Sequence, residues 1–225
     1  MHTLDKNKII NRYESRLKEF GPQPQALGWF KGRQKYRFHF LAEIDGFEAN
    51  DSVLDVGCAY GDMELFLRSL SWKGEYCGVD IVPGLIKEGK RKYPDSDLRL
   101  LDIQKEKLGK IFDWVFCSGA LTSKTDQVDS YDQVESMLGK MLNLCKKGIS
   151  ANFVSPYVDY QSEINFHPDM SRLIEIITRL TRRFTLRHDY MPYEFTVYLY
   201  KDQNIIREAN IFKKHQDIYK SLKTG

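Results

Sequence analysis

Three acids in this 225-residue sequence each close a short apolar run: Asp55 in Val53-Leu54-Asp55-Val56, Asp80 in Cys77-Gly78-Val79-Asp80, and Asp102 in Leu100-Leu101-Asp102-Ile103. The first leads straight into a small-residue turn, Gly57-Cys58-Ala59-Tyr60-Gly61. Glycine has no Cβ, so such a turn bends sharply and lets a ligand approach the backbone. A dinucleotide site would complete Gly-x-Gly-x-x-Gly and aim helix amides at a pyrophosphate. Here the last glycine position holds Asp62, whose charge repels a pyrophosphate. Carboxylates suit a cation instead. S-adenosylmethionine carries a sulfonium and an ammonium and no phosphate, so Asp55 and Asp62 favour it over NAD. An acid about 20 residues past the glycine turn is placed for ribose hydroxyls, the role expected of Asp80. Asp102 is placed to accept from an adenine amino group, with Ile81 and Ile103 sandwiching the base. A lone Asp after a strand is commonly a turn former or helix cap; the ordered recurrence of three is the signal.

The elements that must hold these acids follow from periodicity and punctuation. Short β-rich runs are expected at 52–56, 75–79, 98–101, 112–117 and 149–154. Helical spacing is expected at 5–20, 32–45, 61–70, 83–93, 130–145 and 168–182, with Pro83 at a first helical turn and Gly148 as the C-cap of the 130–145 helix. Strands alternating with helices predict an α/β, doubly wound, mostly parallel sheet, with ligands at the carboxyl ends of its strands. Runs at 184–187 and 195–200, joined by a loop over 188–194, predict a C-terminal antiparallel hairpin. Residues 203–225 read as a polar, lysine-rich tail, solvated or in part helical. The expected organisation is an N-terminal helical lid at 1–45, a Rossmann-like domain at 46–201 and a C-terminal tail at 202–225.

With these motifs in place, residues 35–200, most clearly 52–118, resemble the class I S-adenosylmethionine-dependent methyltransferases. The resemblance implies that the turn matched by Asp55, Gly57, Cys58, Ala59 and Gly61 holds the methionine part of S-adenosyl-L-methionine. It gives the ribose diol to Asp80 and the adenine edge to Asp102 and Ile103. It sets the fourth-strand exit, with Cys117 and Ser118, beside the sulfonium and the substrate. It also implies seven strands, with the sixth at an edge, the antiparallel seventh beside the fifth, and their connection on the cofactor rim. Ala59 departs from the family, which most often has a second glycine there. Family members often fold N-terminal helices over the cofactor. That would bring Trp29, Tyr36 and Arg37 to the site, Arg37 pairing with the methionine carboxylate. Equally, Arg33 and Arg37 belong to a solvated face.

Methyl transfer needs alignment and exclusion of water, plus a base if the nucleophile is a hydroxyl. The aromatic and acidic stretch 155–167 and the loop 188–194 offer His188 as first candidate base and His167 as second, either being equally a packed histidine with a structural hydrogen bond. The exit Cys117-Ser118-Gly119-Ala120 lacks the Asn/Asp-Pro-Pro-aromatic pattern of enzymes acting on exocyclic amines of bases. The net charge is only +3, and no basic–aromatic interleaving marks a nucleic-acid surface. The expected acceptor is therefore a small molecule, such as a sugar or secondary metabolite, methylated on O or N. A macromolecular acceptor (RNA or protein) and a non-catalytic, cofactor-binding partner subunit stay open, the first on the lysine-rich tail and the second on Ala59. The 4 cysteines lack Cys-x-x-Cys spacing, no metal-ligand pattern is visible, and neither a signal sequence nor a membrane span is expected. These features predict a cytoplasmic protein.

Overall fold

The computed structural model describes residues 1–28 and 32–223; Trp29 lies outside the described residues. Seven strands form one sheet: β1 (Val53–Val56), β2 (Tyr76–Asp80), β3 (Leu98–Leu100), β4 (Phe112–Cys117), β5 (Cys145–Val154), β6 (Phe184–Met191) and β7 (Glu194–Tyr200), in the order β3-β2-β1-β4-β5-β7-β6. β7 runs antiparallel between β5 and β6, and the other strands are parallel. Strand order reverses between β1 and β4, the point where an open α/β sheet forms a crevice at its carboxyl rim.

Alternation along the strands builds two apolar layers. Val53, Trp114 and Phe116 pack on one face with Met63 and Leu67, while Leu54, Val115 and Cys117 pack on the other with Met141, Ile149 and Leu173. Side chains two apart share a face, so strands covered on both sides must be apolar almost throughout. The covering helices are α1 (Thr3–Phe20), α2 (Gln34–Ala42), α3 (Asp62–Ser69), α4 (Pro83–Lys92), α5 (Ser130–Asn143) and α6 (Met170–Leu180).

Three local expectations are corrected. Gly148 does not cap α5, which ends at Asn143; it lies inside β5, between Trp114 and Tyr200. A Cβ there would meet the Leu199 carbonyl oxygen at 2.5 Å and Trp114 at 2.9 Å, so glycine serves close packing of three strands. The expected loop 188–194 is mostly strand. β6 runs through His188, Asp189 and Tyr190 to Met191, and only Pro192 and Tyr193 turn. Tyr190 stacks on Phe40 of α2 (4.1 Å between centroids) and shares a hydrogen bond with Thr196, so polar-looking residues are fixed by neighbours distant in sequence. Finally, the C-terminal segment is folded. β8 (Ile205–Ile206) pairs with β9 (Ile211–Phe212), and α7 (Gln216–Lys223) follows a 3-10 turn. Among the described residues, no helix is long and apolar enough to cross a membrane.

Candidate active site

A cavity of about 520 Å³ opens at the carboxyl ends of β1, β2, β4 and β5, beside the segment after β3, with α1 along one wall. Its volume is that of a small-molecule site. The three acids are brought together here: Asp55 near the end of β1, Asp80 at the end of β2 and Asp102 two residues past β3 all line it and all are buried.

Each acid is held differently. Asp55 is 2% exposed; one oxygen accepts from the Tyr76 hydroxyl at 2.8 Å, and the other, Oδ1, has no hydrogen-bond partner. Burial pushes its pKa up from 3.8 to about 7, against the Tyr76 hydrogen bond and with help from the Asp80 charge. Asp80 accepts from the Ala59 and Val82 amides, both at 2.9 Å. Burial raises its pKa too, and these amides oppose the rise. Asp102 pairs with Lys6 of α1 at 3.0 Å and accepts from the Gln104 amide.

The glycine turn keeps the chain low over the rim. Gly57 (φ +77°) donates to the Val79 carbonyl, tying the turn to β2, and Gly61 (φ +84°) forms the N-cap of α3. Ala59 also has positive φ, +50°. The departure at this position is thus a matter of backbone conformation rather than bulk, costing on the order of 1–2 kcal/mol against glycine. Cys58, Ala59, Ile81, Ile103 and Ser118 line the cavity as well, and the buried Ser118 hydroxyl has no partner.

Other expected site residues lie elsewhere or are already engaged. Asp62 does not line the cavity; it binds Lys92 and the Tyr93 hydroxyl, each at 2.6 Å, so it says nothing about ligand charge. Cys117 is fully buried in the apolar layer under α5, outside the lining. Arg37 does line the cavity, but its Nε and Nη2 both donate to Glu194, closing a buried two-pronged ion pair. His188 and His167 are outside the lining. Both converge on Ser155: His188 Nε2 lies 2.8 Å from its hydroxyl and His167 Nδ1 lies 2.8 Å from its carbonyl. His188 also stacks on Phe195. This geometry fixes the segment after β5.

Sequence reasoning left Arg33 on a solvated face and missed Arg12 and Arg16, all three of which line the cavity, and it missed Asn152, whose side chain receives the Gly119 amide. Ile9, Arg12, Tyr13 and Arg16 recur at the spacing of one helical face. The stripe legible in this helix is the apolar one, Ile9, Ile10, Tyr13, Leu17 and Phe20, and it does not separate these arginines from solvent-facing ones.

A model for a methyltransferase domain matches residues 47–183, well over half of the chain. The chain belongs to the class I S-adenosylmethionine-dependent methyltransferase family. The methyltransferase is 30% identical over 100 residues to protein 235L of Invertebrate iridescent virus 6, a match spanning 44% of this chain and 37% of the viral protein. Its fold is shared with magnesium protoporphyrin IX methyltransferase (ChlM) from Synechocystis PCC 6803, at a TM-score of 0.62 and 14% identity, over 87% of this chain and 99% of that one. It is shared also with DhpI, solved as a SAM–HEP complex, at a TM-score of 0.65 and 13% identity, over 88% and 98%.

Proposed function

We propose that this methyltransferase binds S-adenosyl-L-methionine in the cavity between Asp55, Asp80 and Asp102 and transfers its methyl group to an O or N atom of a small-molecule acceptor. One observation carries the reading: Asp55 Oδ1, a buried carboxylate oxygen in the cavity wall with no partner. Such an atom is costly unless something cationic completes it. The ammonium of the cofactor's methionine part has that chemistry, and a pyrophosphate has the opposite charge.

When bound, the cofactor supplies a methyl carbon already activated by a sulfonium. The chain's own task is to bind, orient and exclude water. Asp55 and the turn from Gly57 to Gly61 would hold the methionine part, and Asp80 the ribose hydroxyls. Asp102, Ile81 and Ile103 would hold the adenine, and Ser118 would face the reacting region. Arg37 would serve the methionine carboxylate only by sharing its grip on Glu194. Ile9, Arg12, Tyr13 and Arg16 of α1 form one wall of the cavity. A small acceptor is supported by the cavity's modest volume and by a structural neighbour whose name gives magnesium protoporphyrin IX as its substrate. Four buried, unpaired cysteines suit a reducing, cytoplasmic setting.

Asp80→Asn tests the assignment. The variant keeps an acceptor for one of the two amides, so Tm should fall by only a few degrees. Affinity for S-adenosylhomocysteine should drop at least tenfold in a calorimetric titration. A folded variant with unchanged affinity would remove Asp80, and this placement of the ligand, from the reading.

A further inference from the structure

The cavity has two chemically unlike sides. Its acids follow the first three strands: Asp55, Asp80 and Asp102, the last of them paired with Lys6. The other wall is built from α1, from the segment before α2 and from the exits of β4 and β5, and there the charge is positive. Arg12, Arg16 and Arg33 line it, and among the described residues the only further acid in the lining, Glu194, is already neutralised by Arg37.

Arg12 marks where that positive charge is used. Its Nη2 donates to the Ser123 hydroxyl at 2.6 Å, which pins the guanidinium to the segment following β4. Ser123 in turn bridges to Asn165 from the segment after β5, and both residues line the cavity. Neither Arg12 nor Arg33 has a carboxylate partner among the described residues, and the buried Arg33 Nε has no hydrogen-bond partner at all. A guanidinium edge withheld from water and left without an acceptor is costly, and a planar oxyanion is its natural complement.

Bases are scarce on the same wall. Among the described residues no histidine lines the cavity, Glu194 is held by Arg37, and the Tyr193 hydroxyl is committed to Asp159 at 2.6 Å, which leaves the phenols of Tyr13 and Tyr160. Hydroxyl methylation would need a base there. An acid that arrives already ionised does not.

We infer that the acceptor is an oxyanion, a carboxylate or a phosphate-type acid, held by Arg12 with Ser123 and Asn165, and that the oxyanion itself takes the methyl group. This rests on the methyltransferase reading of the same cavity. The acceptor's oxygen lone pair forms the new C–O bond as the methyl–sulfur bond breaks, and the bonding pair stays on sulfur. One negative charge on the oxyanion and the sulfonium charge cancel, and the products are a methyl ester and S-adenosylhomocysteine; a carboxylate, or the dianion of a phosphate-type acid, releases no proton in the step.

The test uses the full chain saturated with S-adenosylhomocysteine and four probes of similar size: phenylacetate and phenylphosphonate, against the neutral phenylacetamide and 2-phenylethanol. Calorimetry should show at least one oxyanion binding tenfold or more tighter than both neutral probes. Arg12→Gln should abolish that preference while leaving S-adenosylhomocysteine affinity within about threefold, and Arg12→Lys should restore part of it. Equal binding of charged and neutral probes, or a preference that survives in Arg12→Gln, overturns the inference. With the methyl donor labelled, alkali-labile product marks a carboxylate ester and alkali-stable product a phosphonate ester. With phenylacetate as acceptor in weakly buffered solution, turnover should proceed without acidification; one proton per turnover from that carboxylate would contradict transfer to the oxyanion and overturn the inference. Failure of S-adenosylhomocysteine to bind the wild-type chain removes the cofactor reading first. Binding without oxyanion preference removes this inference alone.

Discussion

Asp55 concentrates the conflict between folding and ligand binding in one side chain. Burial raises its pKa from 3.8 to about 7. Between those values the native state keeps a proton that the unfolded chain has released. Rising pH therefore removes stability across that window, on the order of a few kcal/mol in all, and the loss levels off above about pH 7. A cationic ligand prefers the ionised form, so its affinity runs the other way. Affinity for S-adenosylhomocysteine should rise with pH, by up to about tenfold per unit below 7, and flatten above it. Asp55→Asn keeps an acceptor for the Tyr76 hydroxyl and removes the charge. At pH 8 the variant should melt higher than wild type yet bind the ligand at least tenfold more weakly, and the pH dependence assigned to Asp55 should vanish. A variant that bound normally with a raised Tm would leave Asp55 as a buried acid without a ligand. The position of Asp55 was legible in the sequence because an acid after an apolar run and before a glycine turn is a local pattern. The fate of Asp62 was not legible, because Lys92 and Tyr93, which hold it outside the cavity, lie about thirty residues away.

At the scale of elements, α1 behaves as a clasp. Asp5 is 3% exposed and accepts from the Asp126 and Gln127 amides, Lys6 pairs with Asp102, and Glu14 accepts the Gly84 amide in the first turn of α4. These contacts fasten the helix that supplies Ile9, Arg12, Tyr13 and Arg16 to the cavity wall. A ligand entering on that side must part some of them, so clasp strength should set exchange rates more than equilibrium affinity. Asp5→Ala frees two amides without touching the ligand-binding acids. Stopped-flow displacement should show S-adenosylhomocysteine leaving about tenfold faster, with Kd changed by less than about threefold; an unchanged off-rate would mean that the ligand exchanges by another route. The helix itself was readable from its 3.6-residue spacing, and so were β1 to β4 to within a residue or two. The sequence misled where partners distant along the chain decide. Gly148 suggests a helix cap until Trp114 and Leu199 are seen closing on it. His188 and Tyr190 suggest a loop until Phe195 and Phe40 supply the rings they pack on.

Across the whole molecule, the seven-stranded sheet carries both the core and the cavity, and the segment after it carries neither. No described residue beyond Tyr200 belongs to the apolar layers, and none lines the cavity. The segment is nevertheless ordered. β8 and β9 pair, the Lys213 amide donates to Asn204, and Lys214 reaches Asp45 at 3.2 Å. Composition alone made it look like a tail, because a short ribbon and an eight-residue helix are stabilised by a few contacts that leave little trace in hydrophobic patterning. Its lysines were also the sole basis for expecting a nucleic-acid acceptor. Exposed ion pairs such as Lys214–Asp45 contribute little to stability, so removing residues 202–225 should lower Tm by only a few degrees. It should leave S-adenosylhomocysteine affinity within about twofold, because the acids and the glycine turn are untouched. If the lysines served RNA, the full chain would bind a single-stranded RNA probe at 50 mM salt, the affinity would fall steeply as salt is raised, and deletion would abolish it. With a net charge of +3 spread over 34 basic and 31 acidic residues, neither form should retain the probe in an electrophoretic shift assay. Retention by the full chain alone would turn this segment into a substrate-docking element and reopen the question of a macromolecular acceptor.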